Sequence, residues 1–135
     1  MKKALKYLLI AVVGLMLGFI ATSWHNDIPV EEIIEKYAYE NSQFMELDGM
    51  NVHYRINGDT GETVVLLHGT AASLHTWEAW TEELSKYYRV VSFDMPGFGI
   101  TGPEPNNVYT RERYLKFIND VLIKLNIDSC YMAGN

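Results

Sequence analysis

The stretch "VVLLHGTAASLHTWEAW", residues 64–80, changes its periodicity twice. Val64 to Leu67 is an unbroken apolar run, the pattern of a strand covered on both faces in a parallel sheet. His68-Gly69 ends it, and four small residues follow, Thr70, Ala71, Ala72 and Ser73. Trp77, Trp80, Leu84 and Tyr87 then recur at helical spacing. Strand, small-residue loop and helix place the loop at the carboxyl end of a sheet, where open α/β folds bind ligands. Backbone N–H groups of such a loop can point into a cleft, and two of them can stabilise an oxyanion. By itself the loop is a weak signal.

The flanking sequence repeats the alternation. "RVVSFD" (89–94) reads as a second buried strand, and Ser129–Ala133 as a third. Between them Tyr114, Leu115, Ile118, Val121, Leu122 and Leu125 form a helical stripe capped by Thr110. Upstream, "FMELDG" and "MNVHYRING" alternate, and Asp48-Gly49 is a hairpin turn signal. Strands are expected near 44–48 and 51–56, antiparallel. The order β-β-β-α-β-α-β predicts an α/β fold, a mostly parallel, doubly wound sheet with an antiparallel hairpin at its start. His53 lies in that hairpin and reads as a satisfied surface or sheet histidine rather than a catalytic one. The single cysteine, Cys130, reads as core and allows no internal disulfide.

The first residues are of another kind. Lys2, Lys3 and Lys6 precede a run from Tyr7 to Trp24 that carries no charge. As helix this run spans roughly 27 Å, close to the hydrocarbon thickness of a bilayer, and Tyr7 and Trp24 would sit at its interfaces. Residues 1–24 are therefore expected to be a transmembrane anchor. The lysines orient the N-terminus to the cytoplasm and the rest of the chain across the membrane. A signal peptide cut near Ala21-Thr22-Ser23, giving a secreted protein, and a buried soluble helix are the alternatives. Gly14 and Gly18 form a G-x-x-x-G that could also pack two membrane helices. Residues 25–43 read as a stalk or helical linker. Pro29 is expected at its first helical position, Val30, Ile33, Ile34 and Tyr37 on one face, and Glu31, Glu32 and Glu35 near the N-terminal end. All 17 acidic residues lie after the apolar run, against 11 basic residues in the whole chain, so nucleic acid is not an expected partner.

"GFGITG", Gly97 to Gly102, matches the dinucleotide fingerprint in letters only. Asp94-Met95-Pro96 separates it from the strand, and Pro103 and Pro105 stand where a helix should open. It reads as a glycine-bearing loop. No cluster of His, Cys, Asp or Glu has metal spacing, so neither metal nor cofactor is implied.

Taken together, the His-Gly loop, "DMPGFG" (94–99) and "CYMAGN" (130–135) resemble the α/β-hydrolase fold family over residues 44–135. The resemblance implies that Gly134 and Asn135 open the G-x-S-x-G elbow. The chain then reads as the front part of such a domain, stopping one residue before a nucleophile expected at position 136, with the acid and histidine later still. It implies that the Thr70 backbone N–H is an oxyanion donor, that His68 and Gly69 shape that loop, and that Asp94, Gly97 and Gly99 are structural. His75 is expected to make local hydrogen bonds. The implied activity is hydrolysis of a small-molecule substrate, a carboxylic ester, by a membrane-anchored serine hydrolase. An aspartate nucleophile, as in haloalkane dehalogenases and epoxide hydrolases, is the runner-up. Those relatives often carry proline two residues after the His-Gly, where this chain has Ala71. A binding module that lacks the triad is the third reading.

Overall fold

In the computed structural model, residues 2–24 and 28–135 are described. Helix α1 (Lys2–Ser23) is long and apolar enough to cross a membrane, and none of it is buried. Helix α2 (Val30–Tyr37) follows. Pro29 is its N-cap, one position earlier than expected, and only Ile33 and Ile34 of the expected face are half-buried. The 25–27 part of the expected linker lies outside the described residues.

Strands β1 (Gln43–Leu47) and β2 (Met50–Asn57) form the expected antiparallel hairpin. Strand β3 (Thr63–Leu67) leads through the small-residue loop into a 3-10 turn (Leu74–Trp77) and helix α3 (Glu78–Leu84). Strand β4 (Arg89–Phe93), helix α4 (Arg111–Lys124) and strand β5 (Tyr131–Gly134) complete the chain. The sheet order is β1-β2-β4-β3-β5. β4 pairs parallel with β3 and antiparallel with β2, and β5 pairs parallel with β3.

Side-chain alternation divides the sheet into two faces. Val52, Val65, Val91 and Phe93 meet Phe117 and Val121 of α4 on one face. Val64, Leu66 and Val90 meet Trp77 on the other, with Leu84 and Tyr88 packed beside them. The helices thus cover opposite faces of β3 and β4.

Three expectations on packing are corrected. The face of α3 is Trp77, Thr81 and Leu84, because the chain turns through a 3-10 segment first; Trp80 and Tyr87 are exposed. In α4 the fully buried aromatic is Phe117, whereas Leu115 points to solvent. The last strand begins at Tyr131, not at residue 129, because Asp128 and Ser129 complete the bend out of α4. It is also not buried. β5 is an edge strand with β3 on one side, and all four of its residues are exposed. Cys130 stands just before it, half-buried against the main core.

Candidate active site

The carboxyl ends of β3 and β5 converge because the two strands run parallel, with Leu67 opposite Gly134. Beyond that pair the chains meet directly. The Gly69 N–H donates to Asn135 Oδ1 at 2.8 Å. A Cβ on Gly69 would stand 2.8 Å from the Asn135 carbonyl oxygen, so no larger residue fits this approach. A cleft of about 400 Å3 opens here, lined by His68, Gly69, Thr70, Met95, Phe98, Tyr114 and Asn135. Four residues singled out in the sequence therefore share one cleft, and Gly134 ends the strand beneath it. The Thr70 N–H makes no hydrogen bond to another described residue. Ala71, the next residue, is left-handed at φ 58°, which turns the loop back toward the 3-10 segment.

His68 is 6% exposed. The Met95 N–H donates to its Nε2 at 2.9 Å, which leaves the proton on Nδ1. Nδ1 donates to the Gly69 carbonyl at 2.8 Å. This neutral tautomer joins the loop after β3 to the loop after β4. Both ring nitrogens are occupied, so the ring is not free to act as a base.

Asp94 is the hub behind the cleft, fully buried. Its Oδ1 accepts from Leu74 N at 2.8 Å. Its Oδ2 accepts from Ile100 N at 2.9 Å and from His53 Nδ1 at 2.8 Å. Burial pushes the carboxyl up, but these three hydrogen bonds and the His53 ring outweigh it and hold Asp94 below the usual carboxylate range. Gly99, at φ 55°, lies flat on this carboxylate; a Cβ there would clash with Oδ2. Gly97 has φ 78° and packs against the Tyr109 ring.

Of the two expected settings, surface or sheet, His53 takes the sheet, wholly buried and with both ring nitrogens bonded. Alternation turns it away from Val52 and Tyr54 and onto the face where Asp94 lies. Its Nε2 meets Ser42 Oγ at 2.7 Å, and the same oxygen accepts from Tyr39 N at 2.9 Å. Ser42, His53 and Asp94 thus stand in the order of a catalytic triad, but Ser42 does not line the cleft, and Tyr39 N–H occupies its oxygen. His75 bonds Ser73 Oγ at 3.0 Å and the Tyr37 carbonyl at 2.8 Å. Tyr39 lies between the His75 ring and the Arg55 guanidinium, 4.7 and 3.7 Å away, and Arg55 reaches Asn41 and Glu78. The end of the expected linker is therefore tied to the sheet.

Reading the sequence missed Met95, Phe98 and Tyr114 as cleft walls, and it gave His53 no link to Asp94. Met95 and Phe98 lie within the quoted loop, so position alone could have suggested them. Tyr114 sat in a stripe read as core. For His53 the available signal was a polar residue on a strand with apolar neighbours.

Residues 62–135 match the alpha/beta hydrolase fold family, and the chain belongs to it. The chain is 32% identical over 103 residues to a 2-hydroxy-6-oxo-6-(2'-aminophenyl)hexa-2,4-dienoic acid hydrolase of Metapseudomonas resinovorans, covering 73% of this chain and 34% of that protein. It is 28% identical over 109 residues to the dihydrolipoyllysine-residue acetyltransferase component of the acetoin cleaving system of Cupriavidus necator, covering 81% and 29%. The Cif epoxide hydrolase from Acinetobacter nosocomialis superposes with a TM-score of 0.68 at 26% identity, covering 83% of this chain and 39% of that one. The chain spans about a third of the length of the curated relatives it matches.

Proposed function

We propose that this chain supplies the front part of the catalytic domain of a membrane-anchored serine hydrolase acting on carboxylic esters. The observation that carries the reading is the contact of Gly69 N–H with Asn135 Oδ1, which holds the unpartnered Thr70 amide beside the end of β5. A serine at position 136 would rise into this cleft. It would attack the ester carbonyl after giving its proton to a histidine further along the protein. The Thr70 N–H, with the N–H of position 137, would hold the oxyanion. Met95, Phe98 and Tyr114 give the acyl group an apolar wall. Helix α1 would anchor the domain outside the cytoplasm, on the strength of its length and the lysines before it.

The likeness to an epoxide hydrolase favours a second reading, with aspartate at position 136 and an alkyl-enzyme ester formed by ring opening. Ala71 and Asn135 support the first. The test is to treat the full-length protein with a fluorophosphonate and to assay p-nitrophenyl butyrate and styrene oxide. Labelling with ester hydrolysis supports the serine reading. Epoxide opening without labelling supports the second. Neither activity in folded protein would leave a binding module.

A further inference from the structure

We propose that His53, outside the cleft, is the positioning residue that sets the oxyanion loop; the proposal deepens the hydrolase reading and rests on it. Asp94 divides its two oxygens between the two loops that line the cleft. Oδ1 takes Leu74 N, the end of the loop that carries Thr70, and Oδ2 takes Ile100 N, the end of the loop that carries Met95 and Phe98. A buried carboxylate can hold both only in one orientation about its side-chain bond. His53 fixes that orientation by donating Nδ1–H to Oδ2.

The histidine is in turn fixed on every side. Its backbone N–H donates to Thr101 Oγ1 at 3.0 Å, and its carbonyl accepts from Asp94 N at 3.0 Å. The Phe44 ring stacks on it at 5.1 Å, and Ser42 holds Nε2. Met95, the residue after Asp94, bonds His68 in the same loop pair. Strand β2 thus reaches the Thr70 amide through His53, Asp94 and Leu74, although no residue of β2 lines the cleft. Loss of the Nδ1–H frees the carboxylate to turn toward Ile100 and leaves the buried Leu74 N–H without its acceptor.

His53→Asn and His53→Gln separate this role from simple packing. Asparagine keeps a donor at the distance of Nδ1; glutamine moves it to the distance of Nε2. The two differ by one methylene, so a general folding defect strikes both. In the full-length protein, amide exchange at Leu74 and Ile100 is expected to quicken about tenfold in His53→Gln and to stay near wild type in His53→Asn. With p-nitrophenyl butyrate, kcat per folded molecule is expected to fall about 100-fold in His53→Gln with KM nearly unchanged, and His53→Asn to recover most of it. Equal exchange in the two variants, or equal kcat, overturns the positioning role. A wild-type protein that hydrolyses no ester overturns the reaction assigned under the proposed function instead, and the exchange comparison still decides the role of His53.

Discussion

Gly69 and Asn135, 66 residues apart, are joined by a hydrogen bond from backbone to side chain at 2.8 Å. The bond closes the carboxyl ends of two parallel strands over one another. It makes a rim from residues that are featureless singly: a glycine, a threonine amide and an asparagine.

The Thr70 amide is the group to test on that rim. Proline has no N–H, so Thr70→Pro removes the donor and leaves the cleft walls in place. In the full-length enzyme kcat is expected to fall ~10²–10³-fold, with a modest change in KM. Steady-state kinetics with p-nitrophenyl esters give the answer, and an unchanged kcat would reject the oxyanion assignment.

Asp94→Asn leaves the buried donors of His53, Leu74 and Ile100 facing a group with one acceptor. A loss of about 3–5 kcal/mol is expected, read as a lower midpoint in chemical denaturation.

The same carboxylate governs the response to acid. Its pKa is lower folded than unfolded, so its contribution is complete above the unfolded value, near 3.8, and disappears as pH falls through the folded value. Glu104 acts in the same sense, held low by the Val108 and Asn106 amides and by Arg113, against the upward push of its own burial. Stability is expected to hold down to about pH 5 and to fall steeply below about pH 4. The deficit of Asp94→Asn should be largest at neutral pH and shrink in acid; a deficit independent of pH would contradict the depressed pKa.

Gly99→Ala and Gly102→Ala form a matched pair. A methyl on Gly99 meets the Asp94 carboxylate in a left-handed backbone, whereas Gly102 has no neighbour within 4 Å. Gly99→Ala should cost about 3 kcal/mol or more, and Gly102→Ala should stay within about 0.5 kcal/mol. Paired thermal melts measure both.

Removing residues 2–24 should move the protein from the membrane pellet to the soluble fraction after alkaline carbonate extraction. A chain that is extracted with α1 intact would count against a membrane-spanning helix.

The sequence was most legible where a local rule was also the global one. Asp48-Gly49 takes positive φ at both positions and closes a two-residue hairpin between Leu47 and Met50. β3 and β4 are buried on both faces, as the unbroken apolar run of β3 requires. Burial at β5 failed because an apolar run marks a strand made to be covered, and coverage comes from neighbours. The site was legible as loops and obscure as a network. His53 and Asp94 are 41 residues apart and meet only because β4 lies beside β2, a register that no spacing encodes.

That register has a consequence for synthesis. β4 is made after β3 but enters the sheet between β2 and β3. Until residue 93 has left the ribosome, the hairpin keeps one ladder of amides unpaired, and β3 has no partner at all. Growing chains therefore pass through an interval with open, apolar strand edges, the species that chaperones capture. The interval shortens when β4 slots in, and the next residue delivered is Asp94. Insertion of the middle strand and arrival of the carboxylate that holds both cleft loops become one event, and β5 joins β3 later.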